Sequence, residues 1–138
     1  MASPVDAQLL LCDAAVADAS GKLHMLGAGW SVTSSPTAPH AVAILLKVPW
    51  DRANQKIRAT LNLLDSDGRP VLVTSGSDQV PIKNEADLEV GRPPGLAPGT
   101  PLDVSLAMSI PPLPLAPGRY EWRFDVAGST FAAGFQVR

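Results

Sequence analysis

Between residues 55 and 64 the chain alternates with a period of two: Ile57, Ala59, Leu61 and Leu63 are interleaved with Lys56, Arg58, Thr60 and Asn62. Successive side chains of a strand point to opposite faces, whereas a helix returns its apolar stripe every three to four residues. The pattern therefore predicts a half-buried strand, one face on a core and the other in water. Similar runs, rich in Val, Leu, Ile and Thr, recur between turn signals, and amphipathic segments of helical period are hard to find.

Read in this way, residues 7–17 and 22–33 form two strands joined through Asp18-Ala19-Ser20-Gly21 and paired antiparallel. Gly27 and Gly29 weaken the second and mark a bulge or a close backbone approach. Residues 41–48 place Val42, Ile44, Leu46 and Val48 on one face, and Pro49 ends the run before one helical turn at Trp50 to Asn54. Strands follow at 55–64, 69–75, 80–90, 102–110, 119–127 and 130–138, the last two joined by a turn at Gly128-Ser129. Residues 91–101 are too rich in proline and glycine for regular structure and read as a long surface loop. About eight or nine short strands predict an all-β protein, a two-sheet antiparallel sandwich, with a closed β-barrel as the alternative.

The chain's 138 residues suit one domain, residues 1–138, which would bury roughly 68 to 70% of the surface its unfolded chain exposes. Its formal net charge of -2 comes from scattered acids and bases, so no basic stripe is available for nucleic acid or anionic lipid. Cys12 is the only cysteine and sits in an apolar run, which excludes a disulfide framework and predicts a buried thiol. The segment Met1 to Asp6 lacks the pattern of a secretory leader, and no apolar run approaches the ~20 residues of a membrane helix. A cytoplasmic protein without a membrane partner is the expectation.

Before the penultimate strand stands Leu115-Ala116-Pro117-Gly118-Arg119-Tyr120, followed by alternating Trp122, Phe124 and Val126. This resembles the corner of immunoglobulin-like and fibronectin-like sandwiches. There an apolar residue plugs the core, Pro-Gly turns the chain, and a tyrosine hydroxyl bonds back to the backbone. Other marks are Gly21-Lys22-Leu23 leading to Leu26-Gly27-Ala28-Gly29-Trp30, then Val48-Pro49-Trp50, Leu64-Asp65-Ser66-Asp67-Gly68-Arg69-Pro70 and Gly118-Arg119-Tyr120-Glu121-Trp122-Arg123. In these the whole chain resembles an uncharacterised family of small bacterial proteins, which implies a bacterial origin and transfers no site residue.

Residues suited to catalysis are few. His24 and His40 are the only histidines; each reads as a surface or edge residue, and neither has a metal-ligand spacing with Cys12. Asp65-Ser66-Asp67-Gly68 lacks the remaining ligands of a calcium loop and reads as a turn. Gly27-Ala28-Gly29 is not followed by the helix that a phosphate site requires. No catalytic residue, cofactor or metal is assigned.

The tryptophans are the next candidates, because sandwich modules bind sugars with exposed aromatic rings. By parity Trp122 joins Tyr120 and Phe124, and Trp30 joins Leu26 and Val32, so both read as core residues. Trp50, at the end of its strand beside Pro49, is the ring expected to be partly exposed. The proline-rich loops at 91–101 and 111–115 are further surface candidates. The candidate interaction surface is Trp50, Arg52, Arg92, Pro93, Pro94, Leu96 and Pro98.

The expected function is a non-enzymatic protein-binding or assembly module that meets a protein partner or a second copy of itself. With 46% hydrophobic and only 17% charged residues, an apolar patch outside the core is affordable. The alternatives are a small-ligand or carbohydrate-binding sandwich using Trp30 or Trp50, and a hydrolase or isomerase assembled around His40 and Asp51.

Overall fold

In the computed structural model, which describes residues 3–138, the alternating segment is the strand Lys56–Asp65, with Ile57, Ala59, Leu61 and Leu63 buried. Met1 and Ala2, part of the amino-terminal segment read above, lie outside the described residues. In chain order the strands are β1 (Asp6–Cys12), β2 (Ala14–Ala17), β3 (Leu23–Leu26), β4 (Val32–Thr33), β5 (His40–Val48), β6 (Lys56–Asp65), β7 (Leu72–Ser75), β8 (Asp78–Pro81), β9 (Lys83–Glu89), β10 (Leu102–Ile110), β11 (Gly118–Val126) and β12 (Ser129–Val137). The helical turn expected after Pro49 is a 3-10 turn at Trp50–Arg52. Among the described residues no helix is long and apolar enough to cross a membrane.

β1, β5 and β10 form an antiparallel sheet in the order β1-β5-β10, and a second sheet runs β4-β12-β11-β6-β9. Among the described residues only β4, beside β12, is parallel to its neighbour. The inner rows of the two sheets share one core: Val42, Ile44, Leu46 and Val48 of β5 meet Leu61 and Leu63 of β6, Trp122 and Phe124 of β11, and Phe135 and Val137 of β12. Neither sheet closes on itself, so the barrel alternative is set aside.

The first two expected strands are broken, and each break has a backbone cause. The run 7–17 divides at Asp13, whose N–H donates to the carbonyl of Leu26. β1 then pairs with β5, and only β2 pairs with β3 across the Asp18 to Gly21 turn. The run 22–33 divides at Gly27 and Gly29, at φ of 63° and 98°. A Cβ at Gly27 would lie 2.1 Å from Asp13 Oδ2, so this glycine permits a close approach as well as a left-handed backbone. The break also corrects the parity of Trp30. Leu26 and Val32 are exposed, while Trp30 turns to pack on the core.

Two further segments differ from expectation. Residues 69–71 lie outside β7, and 80–90 is split into β8 and β9 at Ile82, whose N–H bonds to Val71 and whose carbonyl accepts from Leu63. The final hairpin turns on Ala127-Gly128, both at positive φ, so Ser129 already belongs to β12.

The β2–β3 hairpin folds over the outer face of the three-stranded sheet. Ala15, Leu23 and Met25 pack there on Cys12, Ala41 and Ala43, all buried. The alanines give the hairpin room to approach, and the first half of β5 is thereby buried on both faces. Burial holds the Cys12 thiol above its ordinary pKa.

At the far end of the core, Leu113 and Leu115 are buried beneath the corner, and Tyr120 Oη donates to the carbonyl of Ala116 at 2.6 Å. Urea unfolding measures these contributions. Phe124→Ala is expected to cost about 3–5 kcal/mol by emptying the shared core, and Tyr120→Phe about 0.5–1.5 kcal/mol by removing one hydrogen bond.

Candidate functional site

β5 ends at Val48, and Pro49, with no N–H to continue the ladder, is the N-cap of the 3-10 turn Trp50–Arg52. Arg52 N–H closes the turn on the carbonyl of Pro49 at 3.0 Å. Asn54, at φ of 60°, then directs its own N–H to the carbonyl of Val90 at 2.7 Å. That bond brings the start of the 91–101 loop beside Trp50.

Arg92 completes the junction. Its guanidinium lies 4.3 Å from the centroid of the Trp50 ring, and its Nη2 donates to the Trp50 carbonyl at 2.7 Å. One side chain thus makes a cation–π contact and a charge-assisted hydrogen bond to the same residue. Arg52 and Asp51 tie down the amino-terminal segment: Arg52 Nε donates to the carbonyl of Ser3 at 2.7 Å, and Asp51 Oδ2 accepts from Ser3 N–H at 2.9 Å and from its hydroxyl at 3.2 Å. The Ser3 backbone bond is the main cause holding the Asp51 carboxyl below its ordinary pKa.

Between these elements lies an open cleft of about 510 Å³ whose walls include Ser3, Asp6, Lys47, Trp50, Asp51 and Pro101. Lys47 Nζ is engaged by Asp103 at 2.6 Å. The expected surface is thus assembled in part. Trp50, Arg52 and Arg92 come together; Pro93, Pro94 and Pro98 are exposed along the loop; Leu96 turns inward onto the core and anchors the loop from beneath. Ser3 and Asp6 carried no sequence signal for this site, since their chain distance from Trp50 hides a proximity that only the tertiary structure creates.

His40 occupies a different environment from the expected surface or edge position. It is buried, its Nδ1 donates to the carbonyl of Ala38 at 3.0 Å, and its Nε2 accepts from Trp122 Nε1 at 3.3 Å. This arrangement uses both ring nitrogens and specifies a neutral imidazole. Burial holds its pKa below the ordinary value, with the Ala38 bond opposing. His40 begins β5 and Asp51 lies past its other end, so the pairing considered for a hydrolase or isomerase is not formed. Trp30 packs edge-on to His40 and Phe135 with centroids at 5.0 and 5.6 Å, within an aromatic cluster.

His24 is exposed and lies 2.6 Å from Asp18 Oδ2. Asp65 Oδ1 accepts the N–H groups of Asp67 and Arg69 at 2.9 and 3.0 Å, with Gly68 at φ of 76°, which is the expected turn.

The molecule is thus an all-β protein of several sheets, none closed into a barrel, with a tryptophan–arginine junction beside an open cleft. Residues 7–133 match the model of a family of unknown function (DUF6941), and the chain belongs to that family. No curated protein matches it.

The buried imidazole sets a pH dependence. Because its folded pKa is lowered, the unfolded chain takes up the proton first, near pH 6.5, and stability is lost as pH falls through that value. The urea midpoint of the wild type is expected to fall between pH 7.5 and 5.5, and His40→Asn is expected to flatten that slope.

Proposed function

We propose that this protein is a non-enzymatic binding and assembly module of bacterial cytoplasm, an immunoglobulin-like sandwich whose Trp50 surface docks a protein partner. The observation that carries the reading is the Arg92 guanidinium stacked on Trp50 and bonded to its carbonyl. Tryptophan and arginine are the residue types that dominate binding energy at protein interfaces. Here both are held before any partner arrives, which reduces the ordering cost of association. The exposed Pro93, Pro94 and Pro98 add stiff apolar area beside them. The sandwich assignment is supported by the core shared between two sheets and by the Tyr120 hydroxyl bonded to Ala116 at the corner. The engaged nitrogens of His40 and the separation of His40 from Asp51 favour binding over catalysis.

A second reading, small-ligand or carbohydrate binding, is favoured by the cleft beside Trp50, whose volume of about 510 Å³ lies in the range of ligand pockets. Its openness to solvent, and the engagement of Lys47 by Asp103 and of Asp51 by Ser3, place it second.

Crosslinked capture from the native cytoplasm, followed by titration with the purified partner, tests the first reading. Trp50→Ala and Arg92→Ala are each expected to weaken the complex by about 2 kcal/mol, roughly 30-fold, with unchanged circular dichroism. Unchanged affinity in both variants would exclude the surface. Saturable quenching of tryptophan fluorescence by an oligosaccharide, lost in Trp50→Phe, would instead support the second reading.

A further inference from the structure

We propose that β10 is the self-association edge of this protein, pairing antiparallel with β10 of a second copy about a two-fold axis centred on Leu106. The proposal rests on the assembly part of the reading above and uses a surface separate from Trp50. β10 is a regular nine-residue strand at the end of the β1-β5-β10 sheet, and its only backbone partners among the described residues are in β5. Every second N–H and C=O along it therefore points away from the sheet. Its inward row is unfinished as well: Val104, Leu106, Met108 and Ile110 pack on the core but remain only half-buried.

The β2–β3 hairpin touches β10 as well, Ser105 Oγ donating to the Gly21 carbonyl at 2.8 Å, but it takes none of the outward backbone groups of β10 among the described residues. The other edges carry features that oppose self-pairing. On β9 a two-fold pairing about Ala86 would set Glu85 against Asp87 of the second copy at its centre, a like-charge contact formed twice, with Lys83 against Glu89 only at the strand ends, whereas β10 opposes no like charges. β12 is capped by β4 at Gln136 and Val137, and β1 runs close alongside it. On β10 the same operation sets Leu106 on Leu106, Val104 on Met108, Leu102 on Ile110 and Asp103 on Ser109. Asp103 is the strand's only charge, and nothing of like sign opposes it. The two three-stranded sheets become one, and the half-buried apolar rows become continuous across the axis.

Asp103 and Ser109 are both exposed, so the register can be tested without disturbing the core. Sedimentation equilibrium of the full chain is expected to show a monomer–dimer equilibrium. Ser109→Asp, which opposes two carboxylates twice per dimer, is expected to raise the dimer Kd by about 2- to 30-fold, and Ser109→Lys to lower it by a similar factor. A wild type that stays monomeric at millimolar concentration overturns the proposal. So does a dimer that responds equally to both variants or to neither. Trp50→Ala is expected to leave the dimer intact, so loss of partner capture with the dimer retained, or the reverse, separates failure of one reading from failure of the other.

Discussion

The structure depends on one strand being apolar on both faces. β5 gives its inner row of Val42, Ile44, Leu46 and Val48 to the core between the sheets, and its outer Ala41 and Ala43 to the β2–β3 hairpin. The first half of β5, covered in this way, carries no polar alternation, and alternation returns only at the exposed Leu45 and Lys47. Its position between β1 and β10 completes the three-stranded sheet, and burying both faces over His40 to Ile44 gives that half more hydrophobic stabilisation than a half-buried strand receives.

What lies beyond the two ends of this strand differs accordingly. At its start His40 is enclosed by Trp30, Trp122 and Phe135, and the lowered pKa of its imidazole follows from an enclosure that disfavours charge. After its last residue Pro49 and the 3-10 turn carry Trp50 out of the core to meet Arg92 and the amino-terminal segment. The first environment stabilises; the second is open to other molecules. Exposure at Trp50 is accompanied by restraint, since the junction is crossed by bonds from Ser3, Asn54 and Arg92, residues distant from one another in the chain.

Much of the strand layout was legible because period-two alternation reports local backbone geometry directly. Residues 102–110 match β10 in full, and the Asp65 turn follows from a side chain that bonds its own downstream N–H groups. Errors arose where a contact outside the segment decided the outcome. Trp30 packs on the core as its apolar character predicts, but parity also groups it with Leu26 and Val32, which are exposed, because parity assumes an unbroken strand and two left-handed glycines break it. His40 was read as an edge residue because it follows Pro39, whereas burial by the aromatic residues around it depends on strands far along the chain. Trp50 and Arg92 were legible as surface residues, but their stacking was not, because it requires β9 to end beside the turn that follows β5.

The sequence by itself determined the all-β class, the apolar faces of β5, β6 and β11, and the turn at Asp65, since these follow from side-chain period and from interactions within a few residues. Tertiary structure decided that β1 pairs with β5 and not with its neighbour in sequence, that the hairpin covers the outer alanines, and that Ser3, Asp51 and Arg92 converge on Trp50. Those outcomes are set by which apolar faces can be covered together. That is a property of the whole chain's packing, and no local pattern encodes it.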